Sequence, residues 1–286
     1  MIKTLQQINT IAEMREHIQS ARMQGKRIGI VPTMGYLHEG HLSLVKAARE
    51  TCDVVVMSIF VNPLQFGPNE DFERYPRDLE RDRELADHAG VDFLFTPEVS
   101  DMYPRKILTN ISVSNVTNPL CGRSRPGHFD GVATVVMKLF QIVQPDYAFF
   151  GQKDAQQVAV VTQMVQDLNV PVQIVPCPII READGLAMSS RNVYLTPEER
   201  EQALVLSHSL KLAENWLREG ISIGEVRERV IDIISEKPLA LLDYVEILSY
   251  PELEPIEQAA PGTNLIMALA VRFGKTRLID NWIGTI

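Results

Sequence analysis

Arg27-Ile28-Gly29-Ile30-Val31-Pro32-Thr33-Met34-Gly35-Tyr36-Leu37-His38-Glu39-Gly40-His41 is the stretch that decides the fold. A short apolar run stops at Pro32, and a turn rich in glycine follows. A helical pattern then runs from Leu42 to Thr51, with Leu42, Val45 and Ala48 spaced for one face. Strand, turn and helix in that order form the opening of a parallel βαβ unit. In such a sheet, ligands bind at the carboxyl end of the strand, where this turn lies.

The same alternation continues outward. Asp53 to Phe60 is a β-branched run suited to a strand buried on both faces. Asp78 to His88 reads as a charged helix ending near Gly90, and Val91 to Phe95 as a strand. Gly131 to Val143 is a helix, Tyr147 to Phe150 a strand, Asp154 to Leu168 a helix and Val172 to Val175 extended. The expected fold is therefore α/β, a doubly wound parallel sheet with helices on both faces. Beyond Ala183-Asp184-Gly185 the pattern changes. Pro197 to Glu219 predicts one long helix, with Thr196 as its N-cap. Ser222 to Glu236 predicts a second helix, opened by a Ser222/Glu225 capping box. Tyr244–Leu248, Leu265–Phe273 and Thr276–Ile279 read as strands. The expected organisation is a Rossmann-like domain over 1–183 and a smaller α+β domain over 184–286.

Composition narrows the function classes. The chain has 286 residues, enough for about two domains at roughly 100–200 residues each. Its 28 Lys and Arg against 37 Asp and Glu give a net charge of −9. That balance argues against general nucleic-acid binding and against docking on anionic membranes. Cys52, Cys121 and Cys177 form no CxxC pair and read as buried reduced thiols. Met1 to Asn9 lacks a signal-peptide core, and no window approaches a membrane span, so the expected location is the cytoplasm. Asp184 onward carries six of the nine excess negative charges, while Met102 to Phe129 holds no Asp or Glu. Arg105, Lys106, Arg123, Arg125 and His128 lie in that acid-free stretch. It reads either as an anion-binding patch or as a surface loop.

His38 and His41 are three residues apart at a helix start, so both imidazoles can leave one face. A helix N-terminus offers free N–H groups and a positive dipole end, which suits a phosphate. Two other readings stand beside this one: two ligands of a metal site, or ordinary turn and cap residues. The spacing is not that of a zinc protease, which needs histidines four apart. Gly274-Lys275-Thr276 looks like the end of a P-loop, but Leu269 stands where the motif needs glycine.

His38-Glu39-Gly40-His41 resembles the histidine motif of the HIGH nucleotidyltransferase superfamily. Met188-Ser189-Ser190-Arg191 resembles that group's KMSKS-like second motif, with Arg191 in place of a lysine. Further segments narrow the likeness: Phe60-Val61-Asn62-Pro63-Leu64-Gln65-Phe66-Gly67, Tyr75-Pro76-Arg77, Arg125-Pro126-Gly127-His128-Phe129 and Gly151-Gln152-Lys153-Asp154. Together they resemble the pantothenate synthetase family from about Ile28 to Leu195. Weaker agreement follows in the tail at Arg277-Leu278-Ile279-Asp280-Asn281.

The resemblance implies an ATP-dependent ligase that joins pantoate to β-alanine through a pantoyl adenylate, releasing AMP and pyrophosphate. The alternative within the superfamily is an adenylyltransferase that keeps AMP on its product. Residues 1–183 would hold ATP and pantoate, and 184–286 would form a lid. The implied catalytic residues are His41, His38, Lys153 and Arg191, with His41 as proton donor. The implied ATP contacts are Met34, Gly35, Tyr36, Leu37, His38, Glu39, Gly40 and His41 on the first motif. Gly151, Gln152, Lys153, Asp154 and Ile180 continue them, and Met188, Ser189, Ser190 and Arg191 complete them. Gln65 and Gln157 carry amides suited to pantoate's hydroxyl and carboxylate. The family also implies a homodimer and Mg²⁺ held mainly through the ATP phosphates. Two departures stand out. Gln152 replaces the family's Glu, and Arg81-Asp82 occupy the place of an acidic pair that helps hold Mg²⁺ in some relatives.

Overall fold

The computed structural model describes residues 5–68 and 70–286; of the N-terminal stretch read above, residues 1–4 lie outside them. Six strands form one parallel sheet: β1 (Gln6–Ile8), β2 (Ile28–Thr33), β3 (Val54–Ile59), β4 (Phe93–Phe95), β5 (Tyr147–Gly151) and β6 (Gln173–Cys177). Their order is β1-β4-β3-β2-β5-β6. Between them run α1 (Ile11–Met23), α2 (Glu39–Thr51), α3 (Leu79–Ala89), α4 (Val99–Met102), α5 (Leu120–Ser124), α6 (His128–Val143) and α7 (Ala155–Asp167). Strands β2 and β3 are buried along almost their whole length, as strands covered on both faces must be. Val31, Leu44, Val45, Val55, Met57 and Phe149 belong to one core cluster beneath α2.

The doubly wound topology follows from the chain's route. It passes from β2 outward to β3 and β4, then returns to lay β5 on the other side of β2. That reversal is the switch point of the sheet. Strand β2 pairs with β3 from Ile28 through Thr33, but with β5 only at Gly29 and Ile30. Pro32, which has no N–H to donate, lies beyond the last β5 pairing. The β2–β5 ladder therefore stops three residues short of the carboxyl end of β2, at the end of the sheet where ligands bind in such folds.

The remaining elements are α8 (Pro197–Ala203), α9 (Val205–Arg218), α10 (Ile223–Ser235), β7 (Ala240–Ser249), β8 (Asn264–Phe273) and β9 (Thr276–Thr285). The three strands form an antiparallel sheet in the order β7-β8-β9. Leu206, Leu210, Ala213 and Leu217 of α9 and Val226, Val230 and Ile234 of α10 pack in one cluster with Val245, Leu269 and Val271 of that sheet. Contacts group the chain into two compact units. One comprises Met1–Val113, Arg125–Gln152 and Val160–Pro178; the other comprises Ser114–Ser124, Lys153–Ala159 and Ile179–Ile286.

The expected single helix over Pro197–Glu219 is two helices, α8 and α9, parted at Leu204. Ala203, Leu204, Val205 and Leu206 are four apolar residues in a row, too many for one helical stripe. The turn lets α8 bury Ala203 while α9 aims its own stripe at the sheet. Thr196 and Glu199 do form the capping box at its start. Ser222 caps α10 by accepting from the Glu225 N–H. Helix α2 begins at Glu39, three residues before the expected Leu42, because His38 supplies the cap. All three cysteines are free and buried.

Candidate active site

The turn between β2 and α2 is held from below by a carboxylate. Asp82, on α3, is 1% exposed. Its oxygens accept from the Tyr36 N–H at 2.7 Å and the Leu37 N–H at 2.7 Å. Burial raises its pKa above the ordinary value, although those two N–H bonds favour the charged form. Gly35 has φ +86, and a Cβ there would lie 2.9 Å from Ile59 Cγ2 and 3.0 Å from Asp82 Oδ2. Only glycine fits both the backbone angle and the space. Tyr36 also takes a positive φ of 52. Arg81 Nη1 donates to the Leu37 carbonyl at 2.9 Å and its guanidinium lies over the Tyr36 ring.

This turn delivers His38 to the N-cap of α2. His38 Nδ1 accepts from the Gly40 N–H at 3.2 Å, and His41 Nδ1 accepts from the His38 N–H at 3.4 Å. An imidazole whose Nδ1 accepts carries its ring proton on Nε2. Both rings are thus set with Nε2–H as a donor, centroids 4.1 Å apart. Glu39 lies in the first turn, where the helix dipole favours an acid. Leu37 differs from its neighbours: its side chain is 1% exposed in the core, so it offers the site only backbone.

Gln65 is positioned by a buried asparagine. Asn62 caps the short 3-10 turn Pro63–Gln65 and is fully buried. Its Oδ1 accepts from Leu64 N–H at 3.3 Å and from the Tyr103 hydroxyl at 2.8 Å. That orients its Nδ2 toward the Gly131 carbonyl at 3.0 Å and Gln65 Oε1 at 3.1 Å. The Gln65 amide nitrogen consequently faces Met34, 3.2 Å from the sulfur. Gly131 makes the arrangement possible: a Cβ there would lie 2.3 Å from the Leu64 carbonyl oxygen. His128 Nδ1 and Arg125 Nη2 both hydrogen-bond the Gln65 carbonyl, at 2.8 and 3.3 Å.

Arg125 is engaged by Glu70, at 2.6 and 2.5 Å. Arg123 is paired with Glu246. Two of the three arginines of the acid-free stretch, Arg123 and Arg125, are therefore neutralised by acids from elsewhere, and the loop reading fits them better than an open anion patch. Burial pushes the Glu70 pKa up, but bonding and charge from Arg125 outweigh it and hold the pKa below the ordinary 4.5. A depressed carboxylate contributes stability that is full above its unfolded value and is lost as pH falls through its folded value. Below pH 4.5, thermal midpoints are expected to fall more steeply in the parent than in Glu70→Gln. Equal slopes would contradict the clamp.

The other expected site residues lie in two groups. Gly151 ends β5, and Gln152, Lys153 and Asp154 form the 3-10 turn that follows. Lys153 Nζ lies 3.2 Å from Asp154 Oδ2. Gln157 sits half-buried in α7. Its neighbour Gln156 is taken up structurally, accepting from Cys121 N–H and donating to the Val116 and Pro119 carbonyls. Ile180 and Met188 face each other across a small hairpin, Met188 N–H donating to the Ile180 carbonyl at 3.0 Å. Arg181 and Ala187 form its bridge, and Arg200 grips its turn through Glu182 and Asp184 at 2.5 and 2.6 Å. Met188 leads into Ser189, which caps the 3-10 turn Ser190–Tyr194 by accepting from Arg191 N–H at 3.2 Å.

Against known proteins, the family model described as pantoate-beta-alanine ligase matches residues 6–283. The chain belongs to the pantoate–β-alanine ligase family. Membership makes it a ligase. A pantothenate synthetase from Pelotomaculum thermopropionicum is 59% identical over 276 residues, covering 96% of this chain and 97% of the relative. A crystal structure of the pantothenate synthetase from Thermus thermophilus superposes with a TM-score of 0.91 at 47% identity, covering 97% of this chain and 98% of that one. Another, a pantoate-β-alanine ligase from Francisella tularensis, has a TM-score of 0.79 at 36% identity, covering 98% and 97%; it is described as complexed with "Beta-gamma ATP and Beta-alanine".

Sequence reasoning about this family member missed Asn62 as the holder of Gln65, Gly131 as its clearance and Asp82 as the brace of the histidine turn. Asn62 carried a signal: Asn before Pro after a strand is an N-cap pattern. Asp82 carried none, because its partners are 45 and 46 residues away.

Proposed function

We propose that the chain condenses pantoate with β-alanine in two steps at the expense of ATP. In the first, a pantoate carboxylate oxygen attacks the α-phosphorus and the bond to the β-phosphate oxygen breaks, giving pantoyl adenylate and pyrophosphate. In the second, the β-alanine amine attacks the acyl carbon; AMP leaves and the amine gives up a proton. The observation that carries this reading is the pair of imidazoles at the N-terminus of α2, just beyond the carboxyl end of β2 at the sheet's switch point. Their Nε2–H groups and the helix dipole are arranged to stabilise charge that grows as pyrophosphate departs.

The other residues take roles that fit their chemistry. Lys153 supplies a point charge and Arg191 a planar fork for the triphosphate. Met188, Ser189, Ser190 and Ile180 place backbone and hydroxyl groups beside it. The Gln65 amide, fixed by Asn62, and the Gln157 amide read pantoate without titrating at neutral pH. Mg²⁺ accompanies the ATP phosphates in this reading. Among the described residues no cluster of three His, Cys, Asp or Glu side chains is placed to hold a metal ion. Asp82 is committed to two backbone N–H groups instead. In the same reading residues 184–286 serve as a lid over ATP, the active form is a homodimer and the cytoplasm is the place of action. Among the described residues no helix is long and apolar enough to cross a membrane.

Exchange of labelled pyrophosphate into ATP tests the first step. Exchange is expected with pantoate present and β-alanine absent, and not without pantoate. Exchange that needs β-alanine would contradict a free-standing adenylate.

A further inference from the structure

The tail motif Arg277-Leu278-Ile279-Asp280-Asn281 touches none of the reacting groups in the proposed chemistry, yet two of its residues grip segments that do. Asn281 Nδ2 donates to the Lys153 carbonyl at 2.9 Å. Asp280, 2% exposed, accepts the Arg181 guanidinium in a fork at 2.7 and 3.0 Å. It also accepts the Asn281 N–H at 2.8 Å, which ties the two residues together. Arg181 belongs to the hairpin that carries Met188, and it donates further to the Gly185 carbonyl at 3.2 Å. The base of this grip is rigid. Strand β9 pairs with β8 residue by residue from Thr276 to Thr285, with Asp280 opposite Leu269.

We propose that Asn281 is a positioning residue for Lys153, on a strand that also holds the Ile180–Met188 hairpin through Asp280 and Arg181. A lysine ammonium rides on four flexible carbons, so its placement depends on where its backbone is rooted. Lys153 sits in a short 3-10 turn, a weakly determined piece of backbone. Asn281 pins the root by its carbonyl, and Asp154 engages the ammonium at the far end. Because Asp280 and Asn281 are adjacent on one strand, the lysine and the hairpin are anchored to the same base. Both then reach one triphosphate with a fixed relation to that base. The small C-terminal sheet acquires a purpose in the ATP step through this pair.

The inference rests on the reading of Lys153 as a phosphate ligand, and the test separates the two. Steady-state kinetics are measured for the full chain as Asn281→Ala, Asn281→Ser, Lys153→Ala and Asn281→Ala/Lys153→Ala, with thermal midpoints alongside. Asn281→Ala is expected to lower kcat/KM for ATP about tenfold while KM for pantoate and β-alanine stays within about twofold, a positioning loss. Asn281→Ser, which keeps a donor, is expected to recover part of it. In the Lys153→Ala background, Asn281→Ala is expected to cost less than about twofold, because residues acting through one another are not additive. Equal losses for all three substrates, or a full tenfold cost in the Lys153→Ala background, would overturn the proposal and leave Asn281 as packing. A Lys153→Ala enzyme with normal ATP kinetics would overturn the role of Lys153, and that of Asn281 with it. A Lys153 effect without an Asn281 effect would overturn Asn281 alone. Should Asn281→Ala fail to fold, the same coupling is read from Asn281→Ser with Lys153→Ala.

Discussion

Replacing His41 by alanine is expected to slow adenylate formation by at least about 10²-fold, roughly 2.7 kcal/mol of transition-state stabilisation. The loss has two parts. In the proposed first step, the Nε2–H donor disappears from the place where pyrophosphate would gather charge. The His38 N–H also loses its acceptor, since His41 Nδ1 takes that bond at 3.4 Å. The second part alone is small, because the bond is long and the group is only half-buried. His41→Asn separates them: its amide can still accept near the helix start but places no donor at the same reach. It is expected to fold like the parent and to be nearly as slow as His41→Ala. Single-turnover measurement of pyrophosphate release reads the step directly, and parent-like rates in either variant would remove His41 from the chemistry.

Replacing Asp82 by alanine is expected to have the largest combined effect on stability and rate. Its carboxylate is the shared acceptor for the Tyr36 and Leu37 N–H groups. Removal leaves both donors without that acceptor, the Leu37 N–H in a buried setting and the Tyr36 N–H in a half-buried one. An unmet buried donor costs about 1–3 kcal/mol, so two cost roughly 2–6 kcal/mol at most. Release of the buried carboxylate, whose pKa burial already raises, offsets part of this and places the expected net near 3 kcal/mol, about the cost of breaking a buried charged contact. The turn also sets the direction in which His38 enters α2. A displacement of about 1 Å there is expected to slow the reaction on the order of 10²-fold in the fraction that remains folded. Asp82→Asn keeps one acceptor oxygen and is expected to restore part of both. Denaturant unfolding and turnover, measured on the same samples, check this; a stable, slow Asp82→Ala enzyme with no loss on unfolding would instead favour direct contact with the reacting groups.

The sheet was legible because its signals are local. Buried β-branched runs such as Val54–Val56, and the apolar run that leads up to Pro32, announce parallel strands without knowledge of their partners. The histidine turn was legible for the same reason: strand, glycines, histidines and helix follow one another directly. What escaped was short or non-local. Strand β1 has three residues, two of them exposed, and exists only because β4 lies beside it. The break at Leu204 depends on where two different faces find their core. Helix α1 is the exception, unread although its signal was local: Met14, Ile18 and Ala21 fall on one face behind a Thr10 cap. Two braces of the site, Asp82 under the turn and Asn281 on Lys153, join residues far apart in the chain. No spacing rule connects them, and only the folded chain brings each to its partner.

That one site carries out adenylation and then amide formation is checked by AMP release with each component omitted in turn. Free AMP is expected in step with product when ATP, pantoate and β-alanine are all present, with no net AMP release above a single turnover when β-alanine is left out. AMP that stays attached to the product, or net AMP release unchanged by omitting β-alanine, would contradict it.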